Sequence, residues 1–585
     1  MRNQINNAAL SFFVAAGLAS CSGLGSMMKK YDKMVKYEVK PNPLEMHGDT
    51  VAVNVSGTYD PKYFAKKVSI TITPTIKYNG GEKALKPVEI QGEKVTTGSG
   101  KAIVFKEGGN FSYSDKTAYV PEMKNAELVL LIEGKQGSKS KKFPEKKIAD
   151  GTIITPLLVK NDEKPLIGKD DFKKTYPVTQ KTEIFFLVNM ADIRSSEVKG
   201  ESMTAAQQFI WDKRTAKGFV FKGATVSAYA SPDGELTLNE NLAANRAKAA
   251  VRYYTNLTKG KAKDKKQVLP GAESESFYTT TTTAEDWEGF KSLMQTSTIK
   301  DKELILRVLE MYPDGDKREQ EIKNLSATYT EVSEQILPKL RRSVVIWNAE
   351  QMSRSDEEIT KLSASYPDSL SVEEILYAAT LTTDINTKMS IYKNADRLYG
   401  ATDWRCSNNI AYCNILMNKP TDAQTALDKA KGINESAPEI MNNLGILARW
   451  NGDRKAAMEF YDKAGSTAEV NHNKGIVNIR DGKYGDAVTN FGSENSFNAA
   501  LAKVLGGNGD GAMATLDASP EKDDALSYYL KAIVGARKGA ADLLISNLKI
   551  AIGKDASLKN NAKEDLEFFK FRDNADFKAL VGQAG

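Results

Sequence analysis

The chain has 585 residues, 41% of them hydrophobic and 27% charged, which is typical of folded globular domains rather than disordered or membrane-embedded chains. At roughly 150 residues per domain, this length excludes a single compact core. The 81 basic and 75 acidic residues give a net charge of +6, too diffuse to indicate a nucleic-acid partner, and two histidines and three cysteines leave little room for metal or nucleophile-base sites.

Residues 1–20 have the pattern of a secretion signal, with one basic residue, Arg2, before an apolar stretch too short to span a bilayer. The stretch ends at Leu18-Ala19-Ser20-Cys21, which resembles a bacterial lipobox. The resemblance implies that Cys21 is acylated and anchors the mature chain in a membrane. The alternative is an ordinary signal peptide in which Cys21 has no special role.

Residues 21–48 are predicted to be a tether, and a β-sandwich is predicted over residues 49–165. Apolar residues alternate from Val51 to Val55 and from Val68 to Ile72, and further short strands are predicted at 102–105, 111–113, 126–133 and 153–159. Short strands separated by glycine and asparagine turns, without a helical period, favour a sandwich. It contains no catalytic constellation, so a spacer or interaction role is expected.

Residues 170–350 alternate between strand and helix patterns. Strands are predicted at 183–190, 224–230 and 276–282, helices at 205–211 and 239–254, and a helical insertion spans 285–339 before a closing strand at 341–347. The second strand ends in Ala228-Tyr229-Ala230-Ser231-Pro232-Asp233-Gly234, with Asn239, Leu242 and Arg246-Ala247 on the following helix and a paired arginine, Arg341-Arg342, leading the last strand. This spacing resembles the OmpA-like domain, a family known for binding peptidoglycan.

The resemblance implies a site in which a carboxylate meets the ammonium group of diaminopimelate while an arginine meets its carboxylate. Arg246 falls on the binding arginine of the family, but Ser231 occupies the carboxylate position and Asp233 follows two residues later. In the alternative interpretation Asp233 belongs to a turn, Asn239 assists the helix start and Arg246 packs its stem against the sheet. The candidate residues for peptidoglycan are Ser231, Asp233, Asn239, Leu242, Arg246 and Arg342.

The insertion opens with Glu285-Asp286-Trp287-Glu288-Gly289-Phe290, which resembles an OmpA-related subfamily found in lipoproteins of Bacteroidetes and commonly followed by helical repeats. The residues after Cys21 lack the acidic cluster associated with surface export in that group. The resemblance therefore implies an outer-membrane lipoprotein, and the missing acidic cluster favours the periplasmic face over the cell surface.

Residues 365–585 are predicted to be a tetratricopeptide-repeat array with a C-terminal cap. Ala411, Ala423 and Ala430 recur 34 residues later as small residues at 445, 457 and 464, which is the period of this repeat. Such a solenoid, with about five or six hairpins, presents a concave groove that binds peptides or proteins. Asparagine pairs near groove-facing positions either clamp the backbone of a partner or complete hairpin packing; they are Asn408, Asn409, Asn442 and Asn443.

The remaining chemistry-bearing residues suggest no reaction centre. Cys406 and Cys413 are predicted to be small core residues, and His47 and His472 are predicted to be surface or packing residues. The chain has no phosphate-loop or nucleophile-elbow motif. No enzyme activity, cofactor or metal site is therefore predicted.

Together the patterns predict a multidomain protein with an N-terminal β-sandwich, an α/β OmpA-like domain carrying a helical insertion, and an all-α tetratricopeptide-repeat solenoid. The predicted function is a lipid-anchored envelope scaffold that binds other envelope proteins through its repeats, and peptidoglycan through its OmpA-like domain. Two alternatives stay open: a surface-exposed component of a fimbrial or nutrient-uptake assembly, and, with less support, a cell-wall enzyme.

Overall fold

The computed structural model describes residues 23–259 and 268–582. The predicted signal peptide and Cys21 therefore lie outside the described residues. The chain divides into two compact units, one formed by residues up to 168 together with residues from 396 onwards, and the other by residues 169–395.

The first unit begins with a helix and a β-rich part. The helix is α1 (Gly23–Met34). The strands are β1 (Val35–Val39), β2 (Met46–His47), β3 (Thr50–Tyr59), β4 (Ser69–Tyr78), β5 (Gly81–Ala84), β6 (Val88–Gly92), β7 (Lys101–Ile103), β8 (Gly109–Ala118), β9 (Glu127–Gln136), β10 (Lys139–Lys142) and β11 (Lys146–Asp150). Among the described residues these strands form two sheets. The first has the order β1-β3-β2, with β8 also paired to β3. The second has the order β10-β9-β4-β6-β7, with β5 also paired to β4 and β11 also paired to β9.

Both sheets bury one face in the same apolar core. Val51, Val53 and Val55 of β3 point into it, as do Ile70 and Ile72 of β4. The alternation exists because successive side chains of a strand point to opposite faces. The β-rich character predicted for this part of the chain is thereby confirmed.

Two predictions at the edges of this region are wrong. The predicted tether is folded from residue 23, because Leu24, Met27 and Tyr31 recur at helical spacing and bury one face of α1 in the same core. The predicted strand at 153–159 is instead a 3₁₀ helix, Thr155–Leu158, in which Pro156 lacks the N–H that a strand ladder would use. The chain then continues as an extended segment to residue 168.

The second unit is built around a sheet with the order β12-β15-β13-β14. Its strands are β12 (Thr175–Phe185), β13 (Phe219–Tyr229), β14 (Tyr278–Thr283) and β15 (Arg342–Met352). Strands β13 and β14 are parallel, whereas β15 pairs antiparallel with both β12 and β13. Trp347 lies fully buried in the core between the sheet and its helices.

The helices of this unit fall into three groups. Helices α2 (Ser195–Val198), α3 (Glu201–Lys213) and α4 (Leu236–Thr258) precede β14. The insertion between β14 and β15 has its own apolar core and comprises α5 (Trp287–Thr296), α6 (Lys302–Met311), α7 (Gly315–Asn324), α8 (Ser326–Gln335) and α9 (Leu337–Leu340). After β15 come α10 (Asp356–Ser365), α11 (Val372–Ala378) and α12 (Ile385–Tyr399), whose last four residues belong to the first unit. The helices predicted over 285–339 are present between β14 and β15. That they form an insertion in an OmpA-like domain stays a prediction.

The C-terminal part is a tetratricopeptide-repeat array, as predicted. Among the described residues, five helix hairpins are followed by two short helices of the cap. The hairpins are α13 (Trp404–Leu416) with α14 (Pro420–Ile433), α15 (Pro438–Trp450) with α16 (Arg454–Ala464), α17 (Ala468–Arg480) with α18 (Tyr484–Phe491), α19 (Phe497–Leu505) with α20 (Gly509–Ala518), and α21 (Ala525–Lys538) with α22 (Ala541–Lys554); the cap holds α23 (Leu558–Glu564) and α24 (Ala575–Val581).

Small residues let the two helices of each hairpin approach closely. A Cβ atom on Gly445 would lie 2.4 Å from the Tyr461 ring, and one on Gly475 would lie 2.5 Å from the Phe491 ring. Larger side chains at these positions would force the helices apart. This close packing is the physical reason for the period that the sequence shows.

Cys406 and Cys413 are buried, and burial raises the pKa of the Cys406 thiol to about 12.

The β-rich part contacts the array at several polar pairs within the first unit. His47, predicted to be a surface or packing residue, bonds through Nδ1 to the Tyr484 hydroxyl at 2.7 Å. Two further ion pairs are Arg454 with Asp49 at 2.7 Å and Lys124 with Glu564 at 2.8 Å. These contacts hold the β-rich part, and with it the start of the extended segment, close to the array.

Candidate functional site

An extended segment of the chain, residues 160–168 and hereafter called the linker, lies along the repeat array. Four asparagines of the described array each bind both backbone groups of one linker residue. The pairs are Asn409 with Gly168, Asn443 with Leu166, Asn473 with Lys164 and Asn498 with Lys160. The asparagine oxygens accept the linker N–H groups at 2.7–2.8 Å, and the asparagine nitrogens donate to the linker carbonyl oxygens at 2.8–3.0 Å.

The four asparagines occupy equivalent places on α13, α15, α17 and α19, the first helices of successive hairpins. Stacking of the hairpins therefore places their side chains in one row on one surface. The linker runs in the opposite direction to the repeats, since its first residue meets the fourth hairpin and its last residue meets the first. An extended chain leaves its backbone groups unpaired, and the row of amides supplies the partners that a neighbouring strand would give.

Asn408 and Asn442 strengthen the row. Each donates a further hydrogen bond to a linker carbonyl, Asn408 to Leu166 at 3.1 Å and Asn442 to Lys164 at 3.0 Å. Each also accepts a hydrogen bond from the asparagine of the next hairpin, at 3.0 Å for Asn408 and 2.9 Å for Asn442. All six asparagines are at most 1% exposed, and these bonds fix the orientation of their amide groups.

Charged side chains of the linker meet opposite charges on the array. Lys160 pairs with Glu521 at 2.5 Å and with Asp524 at 3.4 Å, and Lys164 pairs with Glu494 at 2.8 Å. Between the lysines, the buried Glu163 pairs with Arg449 and accepts a hydrogen bond from the Trp450 indole at 3.3 Å. The array therefore presents acidic, basic and acidic positions in sequence along the linker.

His472 connects this charge pattern to a carboxylate of the linker, Asp162. The ring is fully buried, with Nε2 at 3.1 Å from Asp162 and Nδ1 at 2.8 Å from Glu494. Burial disfavours the imidazolium, but hydrogen bonds to the two carboxylates outweigh it and raise the pKa of His472 to about 9. Burial likewise opposes ionisation of Glu494, yet His472 and Lys164 together lower the pKa of this carboxyl to about 2.

The two ends of the linker are fixed by packing. Val159, immediately before it, is buried in the core of the later repeats. At the other end a Cβ atom on Gly168 would lie 2.8 Å from Cγ and 3.2 Å from Cα of Arg405. Only glycine fits there, because α13 passes too close for a side chain.

Sequence reasoning found part of this site. It singled out Asn408, Asn409, Asn442 and Asn443, and the structure brings these residues together on the linker of the same chain. It missed Asn473, Asn498, the linker and the role of His472. A usable signal exists, since each asparagine that binds both backbone groups lies two residues before a small residue of its helix, Ala411, Gly445, Gly475 or Ala500.

In the second unit, Arg246 directs its guanidinium at backbone carbonyls. It is 1% exposed and donates from Nε to Met190 at 3.1 Å, from Nη1 to Tyr229 at 2.9 Å and from Nη2 to Leu187 at 3.3 Å. Burial, together with the nearby charge of Arg341, lowers the pKa of Arg246 to about 10. Its hydrogen-bonding groups are therefore engaged by the chain itself.

The loop after β13 is also held by neighbours within this unit. Arg341 donates to the Ser231 hydroxyl at 3.2 Å and lies 3.5 Å from the Asp233 carboxylate. The N–H of Gly234 donates to Glu319 of the insertion at 2.7 Å. The insertion thus contributes a carboxylate to the loop at the predicted peptidoglycan site.

The other predicted residues of that site lie around the same loop or beside it. Asn239 donates to the carbonyls of Ser231 at 3.2 Å and Asp233 at 3.3 Å. Arg342 pairs with Asp286 at 2.8 Å, and its guanidinium lies 4.4 Å from the Tyr229 ring centroid. Leu242 is half-buried on α4.

Within residues 23–259 and 268–582, no group of three or more His, Cys, Asp or Glu side chains is arranged to hold a metal ion. No helix in the same residues is long and apolar enough to cross a membrane.

Comparison with known proteins gives weak similarities. No protein-family model matches the chain, and no curated protein matches it. Among solved structures, it is similar to a chain of the APC/C hetero-tetramer Cut9-Hcn1, with 12% identity and a TM-score of 0.31 over 39% of this chain and 45% of that one. PilW, a widely conserved type IV pilus biogenesis factor, has 16% identity and a TM-score of 0.27 over 39% of this chain and 99% of its own.

A tetratricopeptide repeat protein from Parabacteroides merdae has 14% identity and a TM-score of 0.27 over 34% of this chain and 85% of its own. The chain spans less than half of the Cut9-Hcn1 chain. At these TM-scores the similarities carry no functional argument, and the asparagine row is the stronger basis for interpretation.

Replacing Asn443 by Ala is expected to release the middle of the linker. Both backbone groups of Leu166 would lose a partner, at a cost of about 1–3 kcal/mol. Hydrogen exchange of the Leu166 amide should therefore speed up by roughly one to two orders of magnitude. The matched control is Asn471→Ala on α17, whose side chain bonds to the nearby Ser466 carbonyl at 3.3 Å rather than to the linker. Equal protection of Leu166 in Asn443→Ala and the control would contradict the assignment.

The histidine bridge predicts a dependence of stability on pH. Because the pKa of His472 rises on folding from 6.5 to about 9, its contribution is complete below pH 6.5 and is lost as the pH rises through 9. Because the pKa of Glu494 falls on folding from 4.5 to about 2, its contribution is lost as the pH drops from 4.5 towards 2. The difference in unfolding free energy between wild type and His472→Gln, measured in urea, should shrink between pH 6.5 and 10 by a value on the order of 3 kcal/mol. A constant difference over that range would show that His472 does not titrate in this bridge.

Proposed function

We propose that the protein is a non-catalytic, lipid-anchored scaffold of the cell envelope whose repeat array binds extended protein segments. The observation that carries this proposal is the row of asparagines, four of which each bind the N–H and the C=O of one residue of an extended chain. An array that binds backbone groups recognises the extended conformation of a segment more than the identity of its side chains. This kind of recognition is suited to binding extended segments of proteins.

The array is well suited to hold such a segment in water. The amides are buried and fixed by one another, so binding a segment costs little ordering of the array. Each hydrogen bond contributes a net of about 0.5–1.5 kcal/mol. Eight bonds of this kind, together with the ion pairs of two lysines, supply enough stabilisation for stable docking of a short segment.

The envelope location is part of the proposal and is supported by the lipobox-like residues that end in Cys21. We propose the periplasmic face of an outer membrane, because the residues that follow Cys21 lack an acidic export cluster. A surface-exposed component of a fimbrial or nutrient-uptake assembly is the alternative location. A cell-wall enzyme has less support, because the buried histidine and carboxylates of the array hold the linker rather than line an open reaction centre.

Peptidoglycan binding through the second unit stays a prediction from the family resemblance. Binding would require Arg246 to exchange its backbone carbonyls for the carboxylate of a ligand. It would also require Asp233, which lies 3.5 Å from Arg341, to turn to the ammonium group of the ligand. Each exchange breaks a contact that this chain already makes.

The scaffold proposal is tested by photo-crosslinking in intact cells. A crosslinking amino acid in place of Leu416, which is the last residue of α13 and is 51% exposed, should capture an envelope protein. The same group at Ile550, which is 42% exposed on α22, is the control. Capture from position 416 should fall at least tenfold when Asn443→Ala and Asn473→Ala are combined. Capture that is insensitive to these changes, or equal at the two positions, would argue against the proposal.

The anchor is tested by membrane fractionation. Wild-type protein should sediment with the outer membrane, and Cys21→Ala should appear in the soluble fraction because it lacks the acylated thiol. Cys406→Ala, which alters a buried cysteine of the array, is the matched control and should stay with the membrane. Retention of Cys21→Ala in the membrane would defeat the lipid-anchor assignment.

A further inference from the structure

We propose that the linker is an internal occupant of the array, which an extended segment of another protein displaces when it carries the same order of charges. The partner segment has a lysine at the place of Lys160, an acidic residue followed directly by a lysine at the places of Glu163 and Lys164, and glycine at the place of Gly168. This inference rests on the proposed function and specifies the partner.

The charge order follows from the array. Its acidic position at Glu521 and Asp524 holds the first lysine, and its acidic position at Glu494 holds the second. Arg449 lies between them and selects an acidic residue. A segment with these charges reversed would bring like charges together at each position.

The glycine requirement is steric. At the place of Gly168, a Cβ atom would lie 2.8 Å from Cγ and 3.2 Å from Cα of Arg405. The outer side chain of Arg405 can move, but its Cβ, which would lie 2.9 Å from the added atom, is attached directly to the backbone of α13. A partner with any other residue there would lose the two hydrogen bonds to Asn409.

The linker is held mainly by polar contacts, and such contacts exchange readily for equivalent ones. Of residues 160–168, Glu163 and Gly168 are buried, while Leu166 and Ile167 are only half-buried. The buried apolar anchor, Val159, lies just outside the linker. Leu166 packs against the core of the first two hairpins, so release of the linker uncovers apolar surface at this half-buried side chain. The core cluster around Val159 need not open.

The linker also leaves space that a partner can fill. A recess of about 800 Å³ lies beside residues 161–163, and its walls include Ile415, Leu416, Arg449 and Trp450. Asn161 faces this recess and is exposed, and Leu416 is 51% exposed. A partner with a large apolar residue at the place of Asn161 would cover these side chains. That additional contact compensates for the advantage of a tethered linker, whose effective concentration is on the order of millimolar.

The test uses the full chain and a fluorescent synthetic peptide with the sequence of residues 157–170. The chain with Lys160→Glu and Lys164→Glu, called the released chain, has a linker that the array repels. It should bind the peptide at least tenfold more tightly than wild type. A peptide carrying the same two changes should not bind. Adding Asn443→Ala and Asn473→Ala to the released chain should abolish binding. Equal affinity of wild type and the released chain, or no binding by the released chain, would overturn the proposal.

A second measurement does not depend on a variant chain. Excess unlabelled peptide is added to wild-type protein, and hydrogen exchange of the linker amides of Lys164 and Leu166 is followed by mass spectrometry. Displacement should accelerate their exchange at least tenfold, and a peptide with Asn161→Leu should do so at lower concentration. Unchanged exchange with both peptides at millimolar concentration would overturn the proposal, even if the released chain fails to fold.

The two proposals fail in different ways. If the peptide does not displace the linker, but crosslinking from position 416 still depends on Asn443 and Asn473, the scaffold stands and the charge order is wrong. If neither is observed, both are wrong.

Discussion

The pairing of asparagine side chains with the backbone of the linker is the interaction on which the rest of the first unit depends. An extended segment needs hydrogen-bond partners for its N–H and C=O groups. The backbone of a helical array cannot supply these partners, because its own N–H and C=O groups are bonded within the helices. Asparagine carries one acceptor and two donors on a short side chain, so it can replace a neighbouring strand. The 34-residue separation of Asn409 and Asn443 places two such side chains on consecutive hairpins.

Backbone recognition alone would hold any extended chain in any register. The charges remove that freedom, since shifting the linker by two residues would move Lys164 from Glu494 and Glu163 from Arg449. His472 adds a second constraint, because its two nitrogens contact Asp162 of the linker and Glu494 of the array at once. The asparagines therefore determine the conformation of the segment, and the charged residues determine which residue lies at each place.

The elements with a periodic pattern could be predicted from the sequence, and the non-periodic linker could not. The array was predictable because close packing demands small residues such as Gly445 and Gly475 at a fixed spacing. The β-rich part was predictable from alternation at Val51, Val53 and Val55. Residues 160–168 have neither period, since their conformation is imposed by side chains about 240 to 340 positions away. For the same reason His472 is indistinguishable from a packing residue until Asp162 and Glu494 are beside it.

The position of the linker in the chain couples its occupancy to the β-rich part. Thr155 precedes the linker and bonds to Glu567 of the cap, while Lys124 of the β-rich part pairs with Glu564. These contacts lie outside the asparagine row, so they persist when the linker leaves it and keep the linker close to the array. Displacement is therefore a local exchange of polar bonds rather than a separation of the β-rich part from the repeats. A scaffold built in this way covers its buried amides when no partner is present, which avoids the cost of leaving them unpaired.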